Sequence, residues 1–364
     1  MKYFRNATSF CIATLLSFCL PINSNAQDFS PIVKSASSFL KSLSADQIKK
    51  TQYDFNDSLR FKWTNLPVGM VPRPGIQYGE LSDNSRIAFQ EMLATFLTSQ
   101  GYLKISGIMM LDDILNVLYQ MAFDKGQMSA EQLNNIKNLQ WKYENYFVSM
   151  WGQPGENDPW GFSFGGHHLA LNLTMRGKKI SFTPLFIGTD PSQVMTSKYA
   201  GWRVLSKEED YGFALLNFLS PKQKEKAVLS QETPKDIITN PNSSQRITSF
   251  YGIPAKDFTP DQMAVFKMLI QEYLHNFEHS VAHGLFDKIE KTGYDKIYFA
   301  WIGGKERHTP HYYIINGPDF LIEYDNVGFQ NDGNHIHAIL RQKENDFGAD
   351  MLKDHYLNSD HHKK

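Results

Sequence analysis

Trp160-Gly-Phe-Ser-Phe-Gly-Gly-His-His-Leu-Ala-Leu-Asn-Leu-Thr174 is followed by Met175-Arg176-Gly177-Lys178 and then by Lys179-Ile-Ser-Phe-Thr-Pro-Leu-Phe-Ile187. Aromatic and β-branched residues crowd both runs, and Arg176-Gly177-Lys178 reads as a tight turn between them. With Tyr146 to Trp151 just upstream, the segment predicts an antiparallel meander. A second set of short strand-like runs lies near the C-terminus: Lys296 to Ile302, His311 to Asn316, Phe320 to Asp325 and Asn334 to Arg341.

The flanking sequence is helical in pattern. Phe29 to Leu43 has apolar residues at helical spacing, and Ser44 with Gln47 forms a capping-box pattern for a short helix. Phe55 to Trp63 reads as a strand, and Leu66 to Gly75 as a Pro/Gly-rich ordered loop. Ser82 to Gln100 predicts a helix closed by Gly101, with further helices over Leu103 to Met121 and Ser129 to Gln140. Ser206 to Leu219, with Ser206 and Glu209 as its capping box, and Pro221 to Ser230 read as two more. Pro260 to Lys291 reads as one long helix stopped at Gly293, and Asp350 to Tyr356 as a closing helix. Helices and strands come in runs without strict alternation. That favours an α+β class: a mainly antiparallel sheet built from two strand meanders and surrounded by helices. One domain is expected over residues 27–364, helical over about 29–140, strand- and His-rich over about 141–357. No repeat of fixed period is visible, although the two helix-then-meander blocks hint at a duplicated layout.

The 364 residues are 41% hydrophobic and 13% aromatic, enough for a sizeable core. Lys plus Arg is 37 against 38 Asp plus Glu, so no broad basic surface is implied and nucleic acid is a poor partner. Residues 1–26 have the layout of a secretory signal peptide: Lys2 and Arg5, an apolar run to Leu20, Pro21, and small residues Ser24 and Ala26. Export to the periplasm or medium is the expectation. Cys11 and Cys19 both lie in this segment, so a metal site beyond it has only His, Asp and Glu to use. No later apolar run is long enough to span a membrane.

His335-Ile336-His337 is the sharpest chemical signal. Histidines at i and i+2 on a strand share a face and can chelate one ion, while Ile336, Ala338 and Leu340 line the other face. Glu323, a carboxylate in an apolar strand, needs a partner that the histidines would supply. His167 and His168 stand together, and on a strand they point to opposite faces. His167 has the parity of Leu169, Leu171 and Leu173, so His168 is preferred as the third ligand. The expectation is a divalent metal on His335, His337 and His168 or His167, zinc first, with iron or copper open. Glu323 would be ligand or general base, and Arg341 would hold an anionic substrate group or an oxyanion. Trp160 and Trp301, with His355, are candidate substrate contacts, although aromatic residues beside strands also pack cores. His275, His279 and His283 repeat at i, i+4 and i+8 on the flank of an apolar stripe and read as a solvated face. Asp346-Phe347-Gly348 and Gly303-Gly304 lack the context of a kinase motif or a phosphate loop.

Trp160 through His168, Thr183-Pro184 through Gly188, Phe299 through Gly303, Tyr312-Tyr313, Gly317-Pro318, Ile322-Glu323-Tyr324, His335-Ile-His337, Arg341 and Asp346 through His355 together resemble domain-of-unknown-function family 3500. The likeness runs from about Ala36 to His355. It implies an exported bacterial protein of one architecture and carries no activity. It also implies that the double histidine, Glu323, the H-x-H, Arg341 and His355 belong to a recurrent pattern, which the helix histidines do not. The reading is an exported metal-dependent hydrolase acting on a small-molecule, peptide or sugar substrate. An iron or copper oxidoreductase at the same residues, or a non-enzymatic ligand- or metal-binding protein, are the alternatives.

Overall fold

The computed structural model describes residues 28–241, 247–328, 331–349 and 351. The first half of the chain gives α1 (Ser30–Lys41), α2 (Ala45–Thr51), β1 (Gln52–Tyr53), β2 (Ile76–Gln77), α3 (Asp83–Ala94), α4 (Ser99–Asp124), α5 (Ala130–Asn138), β3 (Phe147–Trp151), β4 (Trp160–Gly166), β5 (Leu169–Arg176), β6 (Lys179–Ser181) and β7 (Leu185–Thr189). The second half repeats the order without counterparts of α5 and β6. It gives α6 (Ser206–Phe218), α7 (Pro221–Ala227), β8 (Val228–Ser230), β9 (Ile253–Pro254), α8 (Pro260–Leu274), α9 (His279–Thr292), β10 (Tyr298–Gly303), β11 (His311–Asn316), β12 (Phe320–Asn326) and β13 (Ile336–Gln342). The class is α+β.

The thirteen strands among the described residues belong to one mostly antiparallel sheet, with central path β1-β3-β4-β5-β7-β13-β12-β11-β10-β8. The two meanders share it, as their composition predicts. They are also register copies. Trp160 pairs with Met175 as His311 pairs with Asn326, and Phe147 pairs with Gly165 as Tyr298 pairs with Asn316, each 151 residues on. At the seam Ile187 pairs with Ala338, its own equivalent. In the helix layer Leu97 bridges Phe277, with Thr98 N–H donating to Asn276 and Glu278 N–H donating to Phe96. Equivalent residues meeting each other is the mark of a pseudo-two-fold relation between the halves. The hinted duplication is therefore present in topology and register.

That seam corrects two helix readings. The Pro260–Lys291 pattern breaks into α8 and α9, because residues 275–278 leave the helix to meet Phe96 to Thr98. Gly101 does not end a helix but lies in the first turn of α4, where a Cβ would fall 2.0 Å from the Asn276 carbonyl oxygen. Phe55 to Trp63 is not a strand; it holds a single 3-10 turn, Ser58–Phe61. Ser44 caps α2 through the expected capping box, whereas α6 starts after Leu205 with no side-chain cap. The expected closing helix over Asp350 to Tyr356 lies almost wholly outside the described residues.

The helices cover one face of the sheet. Ile187, Ala338, Leu340, Ile322, Tyr324 and Tyr313 from the strands pack there with Phe89, Phe266, Leu269, Tyr273 and Phe277 from α3, α8 and their loop. The other face carries two equivalent coverings, residues 54–75 after β1 and, among the described residues, 231–241 and 247–252 after β8. Trp63 from the first packs with Phe186, Ile339 and Ala170, and Ile237 from the second joins the same cluster. No helix among the described residues is long and apolar enough to cross a membrane.

Candidate metal centre

Strand alternation sends Ile336, Ala338 and Leu340 of β13 into the main core and leaves His337 on the loop-covered face. His335 stands just before the strand, held by its N–H donating to Asn326 Oδ1 (2.8 Å). His168 is not on a strand. It occupies the two-residue turn between β4 and β5 at φ +61°, with its N–H donating to the Asn65 carbonyl and its carbonyl accepting from Gly188 N–H. Gly188 lies opposite His337 in β7. A Cβ there would sit 2.6 Å from the Ile336 carbonyl oxygen and 3.2 Å from the His168 ring, so the missing side chain makes the imidazole's space.

The three rings converge through the same nitrogen. His168 Nε2 and His335 Nε2 are 2.8 Å apart, and His335 Nε2 and His337 Nε2 are 3.1 Å apart. His168 and His335 are almost fully buried and His337 is half-buried. Tetrahedral zinc with Zn–N bonds of about 2.0–2.1 Å sets its ligand nitrogens roughly 3.3–3.4 Å apart, close to this spacing.

Carboxylates stand behind the rings. His337 Nδ1 is 2.8 Å from Asp236 Oδ1, and His335 Nδ1 is 3.6 Å from Asp190 Oδ2. Asp236, within hydrogen-bond reach of His337 Nδ1, holds the proton there and turns the Nε2 lone pair inward, the tautomer a metal ligand needs; Asp190 is a nearby charge at 3.6 Å from His335. Burial, then the neighbouring imidazoles, push His168 and His335 well below the usual histidine pKa, so both are neutral donors. Burial opposes charge on His337 too, but the hydrogen bond to Asp236 and the charges of Asp325 and Asp236 outweigh it and raise its pKa. Burial lifts Asp190 to about 6 and Asp325 to about 8. Without a cation each of these contacts needs an Nε2–H on one of the two rings. A divalent cation would satisfy all three rings at once.

Of the expected site residues, His168, His335 and His337 come together. His167 does not join them. It turns to the helix layer, as its parity with Leu169 suggested, and its Nδ1 meets Asp112 of α4 at 2.6 Å, with Tyr146 donating to the other oxygen of Asp112. Its ring lies between Trp141 and His168, with centroids 5.5 and 3.7 Å away, so it braces the ligand. Glu323 is neither ligand nor free base here. Its carboxylate accepts from Ile238 N–H, Thr239 N–H, the Thr239 hydroxyl and the Tyr312 hydroxyl, and none of its partners is a histidine. Arg341 is likewise engaged, donating to Thr239 Oγ1, the Thr239 carbonyl and Asp346, and lying over the Trp63 ring. Glu323 and Arg341 therefore clamp one short segment, residues 236–239, that delivers Asp236 to His337.

The tryptophans form no substrate wall. Trp160 and Trp301 are fully buried in the main core, their indole N–H groups donating to the carbonyls of Gly155 and Gly304. An apolar body with one internal acceptor is what a core tryptophan needs. His355 lies outside the described residues. His275 falls before the break between α8 and α9 and His279 and His283 after it, with His283 facing Asp287 in a half-exposed pair, so the three do not line one helix. Sequence reasoning missed Asp236, Asp190 and Asp112. Asp236 sits in Pro234-Lys235-Asp236-Ile237-Ile238-Thr239, where nothing marks a ligand-supporting group.

No curated protein matches this chain, and no solved structure matches it. A family model described as a protein of unknown function, DUF3500, matches residues 25–349, almost all of the described fold and every residue of the histidine centre. The chain belongs to the DUF3500 family.

Proposed function

We propose that this protein is a metal-dependent enzyme, a hydrolase holding zinc on Nε2 of His168, His335 and His337. The observation that carries the reading is the convergence of three imidazole nitrogens, two of them backed by carboxylates, in a pocket shaped by Gly188. Three histidines leave a fourth position for water or a substrate oxygen, and a bound divalent cation would supply Lewis acidity there. The chain's own groups do the rest. His167 and Asp112 fix the His168 ring, and Asp236, held by Glu323 and Arg341 through Thr239, fixes His337. Asp190 is half-buried beside His335 and is the carboxylate best placed to take a proton during turnover. The same reading has the protein exported, on the layout of residues 1–26, with a small-molecule, peptide or sugar substrate.

The test is elemental analysis of untagged protein beside the His335→Ala/His337→Ala double variant. One equivalent of zinc or more, lost in the variant, supports the reading. Iron or copper instead would replace hydrolysis with redox chemistry. No metal in either protein, and none taken up on reconstitution, would refute it.

A further inference from the structure

Next to the three Nε2 atoms lies a second set of ligating atoms. Asp325 on β12 is paired directly opposite His337 on β13, so their side chains share the loop-covered face. Asp236 reaches the same point from the covering segment after β8. His337 Nδ1 is 2.8 Å from Asp236 Oδ1 and 4.0 Å from Asp325 Oδ2. One ligand atom from each of the three side chains lies within 4.8 Å of the other two.

Asp325 is the unexplained member. It is 2% exposed, and its Oδ2 has no hydrogen-bond partner among the described residues. A buried carboxylate oxygen without a partner is costly in either protonation state. Ionised, it lacks a donor. Protonated, it finds no acceptor in the His337 ring, since Nδ1 at 4.0 Å is beyond hydrogen-bond reach. Glu323, two residues earlier on the same face, shows the contrast, because four donors surround it. Apart from a hydrogen bond from the Val327 backbone, Asp325 faces another carboxylate and an imidazole nitrogen. A cation would satisfy all three together.

We propose a second divalent-cation site formed by Asp236, Asp325 and Nδ1 of His337, so that His337 bridges two ions. The inference rests on the first site binding metal through Nε2 of the same ring. Two carboxylates and one imidazole suit zinc, manganese or iron. Loading the second site replaces the Nδ1 proton of His337. That proton goes to solvent and returns when the ion is stripped, with no change of oxidation state. In the singly loaded protein Asp236 keeps its role as acceptor from Nδ1–H. Asp236 is half-exposed, so an ion can enter from its side.

The experiment is a zinc titration of chelator-stripped full-length protein, with bound metal counted after desalting and proton release followed in weak buffer. Wild type is expected to take two equivalents. Asp325→Asn and Asp236→Ala should each take one, and His168→Ala should lose the first equivalent while retaining the second. Asp325→Asn is isosteric and Asp236→Ala alters a loop side chain, so two independent variants guard against a folding artefact, checked by thermal melts. One equivalent in wild type and in both aspartate variants overturns the second site while leaving the first intact. A stoichiometry unchanged by His168→Ala but reduced by both aspartate variants refutes the three-histidine site instead. No binding in wild type refutes both.

Discussion

Replacing Glu323 by Gln separates two roles for a residue that the sequence marks as chemical. Each carboxylate oxygen accepts one backbone N–H and one hydroxyl: Ile238 N–H (2.6 Å) and Tyr312 on Oε2, Thr239 N–H (3.0 Å) and its hydroxyl on Oε1. Gln puts an NH2 in one of those positions whichever way it turns. The hydroxyl there can rotate to accept, but the backbone N–H is orphaned at about 1–3 kcal/mol. The remaining bonds lose their charge assistance, adding roughly 1–2 kcal/mol together. Glu323→Gln should therefore cost about 2–5 kcal/mol in urea unfolding. Its effect should also reach the metal, because Thr239 and Asp236 share the clamped segment. Losing a carboxylate behind a histidine ligand typically weakens metal binding about 10–100-fold. The assay is chelator competition on the variant alongside its unfolding curve. A general base would behave differently. Activity would fall while metal affinity held and stability stayed within about 0.5 kcal/mol, the scale of a substitution away from structural features. That result would refute the clamp.

Three further outcomes follow from the geometry. Gly188→Val should abolish the first equivalent of metal with the sheet retained, because its Cβ meets the Ile336 carbonyl and the His168 ring; normal metal content with a normal circular dichroism spectrum would contradict this. Lys104 lies buried between Glu208 (2.8 Å) and Glu272 (2.6 Å), so Lys104→Met should destabilise by about 3–5 kcal/mol by leaving two buried carboxylates without their cation, a loss that thermal melts would miss only if the triad were not buried. Asp325 gives a pH signature in metal-free protein. Burial raises its folded pKa to about 8 from 3.8, so the folded state binds the proton more tightly, and its stability contribution is full below about pH 4 and lost as pH rises to 8. His337, Asp236 and Glu323 face it, and Asp325→Asn should flatten that decline; an unchanged slope in denaturation from pH 4 to 8 would count against it.

Much of this was legible in residue order, and for local reasons. Strand geometry repeats every two residues, so His335-Ile-His337 could be assigned to one face and Ile336, Ala338 and Leu340 to the core without any tertiary information. The aromatic and β-branched runs defined both meanders, and Ser44 with Gln47 marked a helix start, because capping is a contact within four residues. The absence of cysteine after residue 26 limited ligands to imidazole and carboxylate.

What failed, or was invisible, depended on residues distant in the chain. Parity with Leu169 sends His167 to the helix layer, yet His168 meets His335 through a turn at positive φ whose N–H reaches Asn65 and whose carbonyl reaches Gly188. Trp160 and Trp301 carry the same side chain whether they stack a ligand or fill a core, and only packing decides. The helical period runs unbroken through residues 275–278, but the seam with Phe96 to Thr98 pulls them out of the helix. The duplication is carried by register, not by a repeated motif, so it emerges only when Ile187 is found beside Ala338. Asp236 shares no local pattern with His337, about a hundred positions away. Residue order determined which side chains could hold a metal, since that follows from composition and strand period. The tertiary structure decided which of them face one point, which carboxylates stand behind them and which of the expected partners were already satisfied, because hydrogen bonds and burial are settled only between elements.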